Sequence, residues 1–456
     1  MKIAIVGGGW AGLAAAMLLR RQGHIVAVFE AARSLGGRAR RAHSRSLDQM
    51  MDNGQHILLG AYTETQAVMQ DLGLDTGRLF HRGPLALESA DGSFRLRATP
   101  LPAPFHLLGG ILAARGLTLK ERLGLITLTR ALQAGGWKPA AGLSVAQWLE
   151  QGGQSQQAIR RFWQPLCLAA LNTPIEDACA LLFAHVLRDS LGGPKTATDI
   201  LIPRVDLSQL WPDEAGRQLG GNDFQGGGLH LGHTVRRLGC SASGVTVGDT
   251  PFDALIVAGN APSTLRLLEQ LPEADGSQRY LDMLSGLDFL PIATVTLQLE
   301  RSWGLPRPMM LLWDDPGKLQ FGQWLFDRGA FAPAPAQGRL AAGGAPDADE
   351  AQLLHIVVSN ATAMQQHAQD DVVRAITAQV RTQARRFGSM PRVTGHDVIV
   401  EKRATFAARP GLARPTVATP WPRVWVAGDW TDTGYPGVLE GAVRSGREAA
   451  RSLLER

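Results

Sequence analysis

No feature of this chain restricts its fold more than its opening, MKIAIVGGGWAGLAAAMLLRRQGHIVAVFE. Ile3 to Val6 read as a short buried strand, and Ala11 to Arg21 as a helix of small and apolar residues. Between them Gly7, Gly9 and Gly12 satisfy G-x-G-x-x-G. The first glycine permits a tight turn, the second lets backbone approach a pyrophosphate, and the third lets helix pack close to sheet. The helix, entered through Trp10 and Ala11, offers unpaired N–H groups and a partial positive charge to phosphates. A second strand, His24 to Phe29, delivers Glu30 and then Ala31. A carboxylate at that place can accept both hydroxyls of an adenosine ribose. A glycine-rich turn alone is weak evidence, but strand, turn, helix, strand and acid in this order predict a Rossmann-type α/β unit.

The remaining 400-odd positions allow one or two further domains and an interior large enough for a sizeable ligand, since the chain has 456 residues. Basic residues are dispersed and the formal charge is only +5, which argues against nucleic acid as a partner but permits attraction to an anionic membrane surface. Cys167, Cys179 and Cys240 have neither CxxC nor metal-ligand spacing. They read as small buried hydrophobes in a reducing, cytoplasmic setting, and no metal site is expected. The apolar N-terminal run is broken by glycines and serves as a strand rather than a leader. No apolar run is long enough to span a membrane. The nearest, Ala103 to Leu117, contains His106 and Arg115 and reads first as a core or surface amphipathic helix. Its alternative is an element dipping into a membrane, with Leu107 and Leu108 apolar and Arg115, Lys120 and Arg122 at head-group level.

A mostly helical stretch from about 101 to 200 carries Trp137, Trp148 and Trp163. Short strands follow in HLGHTVRRL, GVTVGD and FDALIVAGNAP, with Pro262 opening a helix. Residues 292 to 300 alternate as a strand of a second sheet, 330 to 348 read as a surface loop, and 371 to 387 as a helix. The end returns to strand, turn and helix in VWVAGDW, TDTGYPG and VLEGAVRSGREAARSLLER. The expected division is a discontinuous nucleotide domain (1–85, 205–290 and 395–456) and an inserted α+β substrate domain (86–204 and 291–394).

Glu30 followed by Gly36, Gly37 and Arg38 resembles the amine oxidase and phytoene desaturase superfamily of flavoproteins. DNGQHILLGAY (52–62), FWQPLCLAALNTP (162–174), LRDSL (187–191) and GDWTDTGYPGVLEGAVRSG (428–446) resemble, more narrowly, the hydroxysqualene dehydroxylase family. The resemblance implies FAD. It places Gly36, Gly37 and Arg38 at the diphosphate, Gly428 and Asp429 at the ribityl chain and diphosphate, and Val235 at the adenine. It also places Gly437, Val438 and Leu439 at the pyrimidine end of the flavin, and Gly54, Gln55 and His56 beside the ring. No cysteine follows Cys240, so attachment through a C-terminal thioether is excluded and FAD is expected to be non-covalent. Gly220 to Gly228 is richer in glycine than the family pattern.

The implied reaction is reduction of a long-chain isoprenoid alcohol, hydroxysqualene, to squalene. Loss of the allylic hydroxyl as water leaves a resonance-stabilised cation, which takes a hydride from reduced flavin. His56, Tyr435 and Asp432 are the candidate proton donors. Asn172 either orients the hydroxyl or caps the turn before Pro174. The electron donor is unidentified, since the sequence has no second G-x-G-x-x-G unit for a pyridine nucleotide. The alternatives are a carotenoid or phytoene-type desaturase running hydride transfer the other way, and a non-catalytic prenyl-binding escort protein. The intact Glu30, Gly36-Gly37-Arg38 and Gly428-Asp429 speak against the latter.

Overall fold

A computed structural model of the protein describes residues 1–220, 227–241, 244–327, 329 and 351–455. The loop expected at 330–348 and most of the Gly220–Gly228 stretch lie outside the described residues. The first sheet has five parallel strands in the order Gly228–Leu231, Ile25–Glu30, Lys2–Val6, Ala254–Val257, Val424–Val426. Strands covered on both faces read as unbroken apolar runs, which is what IAIV, IVAVF and ALIV are. The helix Trp10–Arg21 packs against the last helix, Leu439–Leu454. Their backbones meet at Gly446, where a Cβ would stand 2.0 Å from the Ala11 carbonyl oxygen. At the first turn Gly7 has φ +120°, and a Cβ on Gly12 would lie 2.0 Å from the Gly7 oxygen. Both positions therefore exclude side chains for reasons internal to the fold.

A second five-stranded sheet is antiparallel, in the order Met309–Leu311, Trp324–Asp327, Gln352–Ser359, Phe289–Leu299, Val393–Phe406. The long strand Val393–Phe406 pairs with Phe289–Leu299 almost throughout. The expected boundaries at 290/291 and 394/395 therefore cut through strands of this sheet. Residues up to Phe406 belong with the second sheet, because cross-strand packing of its alternating apolar residues sets the unit. The stretch HLGHTVRRL is likewise two strand ends, Gly228–Leu231 and Leu238–Ser241, separated by residues without regular structure.

Helices Phe105–Leu112, Leu119–Ala134, Val145–Gln151, Gln164–Leu171 and Ala180–Ser190 form the remainder of the middle region. Trp148, Trp163 and Phe183 meet edge to face at 5.5 to 6.4 Å and anchor its core. Trp148 and Trp163 thus belong to the core, and neither lines the cavity described below.

Candidate active site

A cavity of about 980 Å³ is lined by both sheets and by the middle helices. Its polar end is the glycine turn and its surroundings: Gly7, Gly9, Trp10 and Ala11, then Glu30, Ala31, Gly36, Gly37 and Arg38. Val235 lines it too, as do Gly54, Gln55 and His56, Gly428 and Asp429, and Gly437, Val438 and Leu439. Among the residues expected at a cofactor, Gly12 stays behind the turn, where it seats the helix on Gly7.

Several features of this end suit a ligand. The helix from Trp10 has no side-chain cap and no acid in its first turn, which leaves its N–H groups for an anion. A Cβ on Gly9 would touch nothing nearer than the Gly37 Cα at 3.8 Å. The fold thus tolerates a side chain at Gly9, and the space it would fill belongs to the cavity. The Oε1 atom of Gln55 is buried and has no hydrogen-bond donor, although its amide nitrogen donates to the His56 carbonyl. An orphaned acceptor is costly unless a bound group supplies the donor.

The sequence profile of the flavin containing amine oxidoreductase family matches residues 10–454. The chain belongs to this family. Hydroxysqualene dehydroxylase of Rhodopseudomonas palustris is 28% identical over 458 residues, covering 99% of this chain and 97% of its own length. The enzyme of the same name from Sinorhizobium fredii is 27% identical over 462 residues, with the same shares. The solved structure of cyclohexylamine oxidase from Brevibacterium oxydans covers 100% of this chain and 99% of its own, with a TM-score of 0.66 at 18% identity. The chain is a FAD-dependent oxidoreductase, and the polar end of the cavity fits that cofactor.

Charges at this end are arranged differently from the expectation. The Arg38 guanidinium pairs with Asp429 at 2.5 Å and also donates to the carbonyls of Ala404 and Arg403. Burial opposes its charge, but Asp429 outweighs that and raises the Arg38 pKa. Arg38 is therefore a tie between the two sheets whose charge is already matched. Arg40 also lines the cavity, and no carboxylate pairs with it among the described residues. Sequence reading passed over it. The available signal was a second arginine two positions after the Gly-Gly-Arg run.

The three candidate proton donors are not equivalent. Asp432 does not line the cavity; its half-exposed carboxylate accepts from the buried Arg414 at 3.1 Å, which removes it from the chemistry. Tyr435 lines the cavity, but its hydroxyl donates to Asp189 Oδ2 at 2.6 Å and its ring lies under Arg444. Burial, then the bond to Asp189, pushes the phenol pKa far up, so Tyr435 keeps its proton. Replacing Tyr435 by Phe should cost about 1.5–3 kcal/mol of stability, the value of one hydrogen bond to a charged group. Thermal unfolding of the two holoproteins measures it.

His56 lines the cavity with Nδ1 3.0 Å from the Gly54 carbonyl oxygen. An N–H at Nδ1 makes Nε2 an acceptor. Burial lowers the His56 pKa, the bond to Gly54 opposes this, and Arg38 adds to it. The ring is thus neutral near pH 7 and a poor store of protons. Below the unfolded value of about 6.5 the unfolded chain takes up a proton that folded His56 refuses. Stability contributed here is full above that pH and declines as pH falls through the window beneath it. His56→Gln should flatten part of this acid limb, read as urea midpoints at pH 7 and pH 5.

Asn172 also lines the cavity but is fully engaged. Its amide donates to Thr405 Oγ1 at 3.1 Å and to the Pro291 carbonyl at 3.3 Å, and its Oδ1 accepts the Asn360 N–H at 2.6 Å. It ends the helix Gln164–Leu171 at φ +50°, so it clips helix to sheet rather than orienting a ligand. Beyond it the cavity becomes apolar, with Leu85, Leu166, Phe183, Leu187, Leu191 and Ile200 in its wall.

Proposed function

We propose that this flavoenzyme reduces hydroxysqualene to squalene. One observation carries the reading: a single cavity joins a dinucleotide-type turn to an extended apolar chamber, and both relatives described above bear the name hydroxysqualene dehydroxylase. Reduced FAD, when bound, would supply a hydride to the substrate carbon, whose hydroxyl leaves as water on taking up a proton that originates in solvent. The chain's own groups bind, exclude water and orient. Glu30 would hold the adenosine ribose, the N–H groups from Trp10 onward and the unmatched Arg40 would hold the diphosphate, and Gln55 Oε1 would accept a hydrogen bond from the cofactor. Leu166, Phe183 and Leu187 keep water from the cationic centre, which would otherwise be recaptured as alcohol.

His56 enters as a hydrogen-bond acceptor: Nε2 receives the substrate O–H and fixes the hydroxyl relative to the ring. It is not the acid that protonates the hydroxyl. His56→Gln, which keeps an acceptor, should retain more kcat than His56→Phe. An electron donor separate from this chain completes the cycle, and the insolubility of substrate and product favours peripheral association with an anionic membrane.

The deciding experiment is anaerobic mixing of photoreduced holoenzyme with hydroxysqualene. Flavin reoxidation with stoichiometric squalene supports the reading. Flavin that stays reduced with this substrate, together with bleaching of oxidised enzyme by a carotenoid precursor, assigns a desaturase instead.

A further inference from the structure

A second hollow of about 850 Å³ has five cationic side chains in its wall, Arg82, Arg95, Arg97, Arg115 and Lys195, against one acid, Asp199. Asp199 is taken by Arg82 at 2.7 Å. Lys195 donates to the Pro100 carbonyl. Arg95, Arg97 and Arg115 pair with no carboxylate among the described residues. Arg95 and Arg115 stand directly opposite one another, exchanging backbone hydrogen bonds of 3.1 and 2.8 Å. Arg97 lies two residues on, and so on the same face of its strand. Glu88 is opposite Arg95 on the other side, but its carboxylate is held by Arg386 and Arg307. Like charges placed across from one another repel. Nothing in the fold demands three arginines here, and an external anion would relieve them.

The apolar surface beside this hollow identifies the anion. Leu101, Phe105, Leu112, Leu119 and Leu123 are 42 to 63% exposed, and they are half of the ten large hydrophobics exposed to that degree or nearly so among the described residues. Phe105 and Leu112 are seven apart on one helix, Leu119 and Leu123 four apart on the next, and each pair shares a helix face. Arg122 joins the two helices by donating to the Leu112 carbonyl at 2.8 Å. Leu107, by contrast, is buried, so the membrane-facing role expected of it passes to Phe105 and Leu112. A free phosphate would need the arginines but not the leucines. An apolar stripe flanked by unpaired cations suits the boundary between lipid head groups and acyl chains.

We infer that this face docks on an anionic bilayer, with Arg95, Arg97 and Arg115 binding lipid phosphates while Phe105, Leu112, Leu119 and Leu123 enter the acyl boundary. The position suits a water-insoluble substrate. Pro84 and Asp199 line the basic hollow, whereas their chain neighbours Leu85 and Thr198 line the main cavity. One layer of backbone separates docked lipid from the apolar chamber. The inference deepens the proposed isoprenoid reading and rests on it, since docking brings the chamber close to the phase in which such a substrate dissolves.

The test is sedimentation of holoenzyme with vesicles of phosphatidylcholine alone or mixed with phosphatidylglycerol, without substrate. Preferential binding to the anionic vesicles is expected. Arg95→Ser/Arg97→Ser/Arg115→Ser should weaken that binding roughly 100-fold, from three head-group contacts. The corresponding triple Lys variant should retain most of it, and Phe105→Ser/Leu112→Ser should weaken binding to both vesicle types. Flavin content and turnover of detergent-dispersed substrate should be unchanged in each variant. The inference is overturned if wild type binds neutral and anionic vesicles alike, or if the triple Ser variant binds as wild type does. Thermal stabilisation by inorganic phosphate without vesicle binding would also overturn it, assigning a soluble anion. Vesicle binding with no squalene formed in detergent leaves the docking face standing and removes the reaction assignment.

Discussion

Gly9→Val is expected to yield a folded but colourless protein. Gly9 has φ −77° and ψ 178°, an extended conformation open to any residue. A Cβ there meets no protein atom closer than 3.8 Å. The substitution therefore costs the apoprotein no more than about 1 kcal/mol, the scale of a changed helix N-cap. The added branches instead occupy the cavity at the helix N-terminus, where the diphosphate must come within hydrogen-bonding distance of backbone. Overpacking at such a contact, with loss of the phosphate hydrogen bonds, should weaken FAD binding by roughly 100-fold or more. The readouts are flavin absorbance after gel filtration and the thermal midpoint of the apoprotein. A yellow Gly9→Val protein would show that the turn is structural alone. Gly12→Val makes the contrast: its Cβ would sit 2.0 Å from the Gly7 oxygen, so the fold itself should fail.

Glu30→Ala should lower both FAD affinity and apoprotein stability, the second because the carboxylate also holds the glycine turn. The Glu30 carboxylate accepts the Gly8 N–H and the Ala32 N–H, each at 2.7 Å. It braces the glycine turn from the end of the second strand while its remaining lone pairs face the cavity. Losing the hydrogen bonds to a ribose at about 1.5–3 kcal/mol for a charged acceptor should raise the FAD dissociation constant roughly 10- to 100-fold. The two backbone donors lose their partner as well, so the apoprotein should melt several degrees lower. Fluorescence titration with FAD and thermal unfolding of apoprotein separate the two effects. Unchanged affinity with reduced stability would leave Glu30 a turn brace only.

The sequence carried the nucleotide end because its chemistry is local. Gly7, Gly9, Gly12 and Glu30 belong to one strand-turn-helix-strand unit, and spacing within it determines geometry. Arg38 marked the limit of that logic. It lies in the cavity wall, but Asp429, 391 residues later, pairs with it. The same limit explains the proton donors. Residue type recommends Asp432 and Tyr435, whereas Arg414 and Asp189 commit them, and both partners come from tertiary packing. Val393–Phe406 alternates too weakly to announce its sheet, so the boundary at 395 fell inside a strand that only pairing with Phe289–Leu299 defines. Exposed leucines in 101–123 could be recognised as apolar from sequence, but their burial depends on which face of each helix meets the core.

The order of strands in the parallel sheet also has a temporal meaning. Its five strands come from residues 2–6, 25–30, 228–231, 254–257 and 424–426, and the helix that covers them ends at Leu454. Buried Glu440 of that helix accepts the N–H groups of Glu64 and Thr65, which lie 376 and 375 residues earlier. A nascent chain on the ribosome thus holds the phosphate-binding turn long before it gains the strand Val424–Val426, the Asp429 tie and the closing helix. Pairings this distant in sequence are slow to form. Cofactor capture accordingly waits for the last strand and the closing helix, and the edge of Lys2–Val6 must be kept from other chains until Ala254–Val257 covers it.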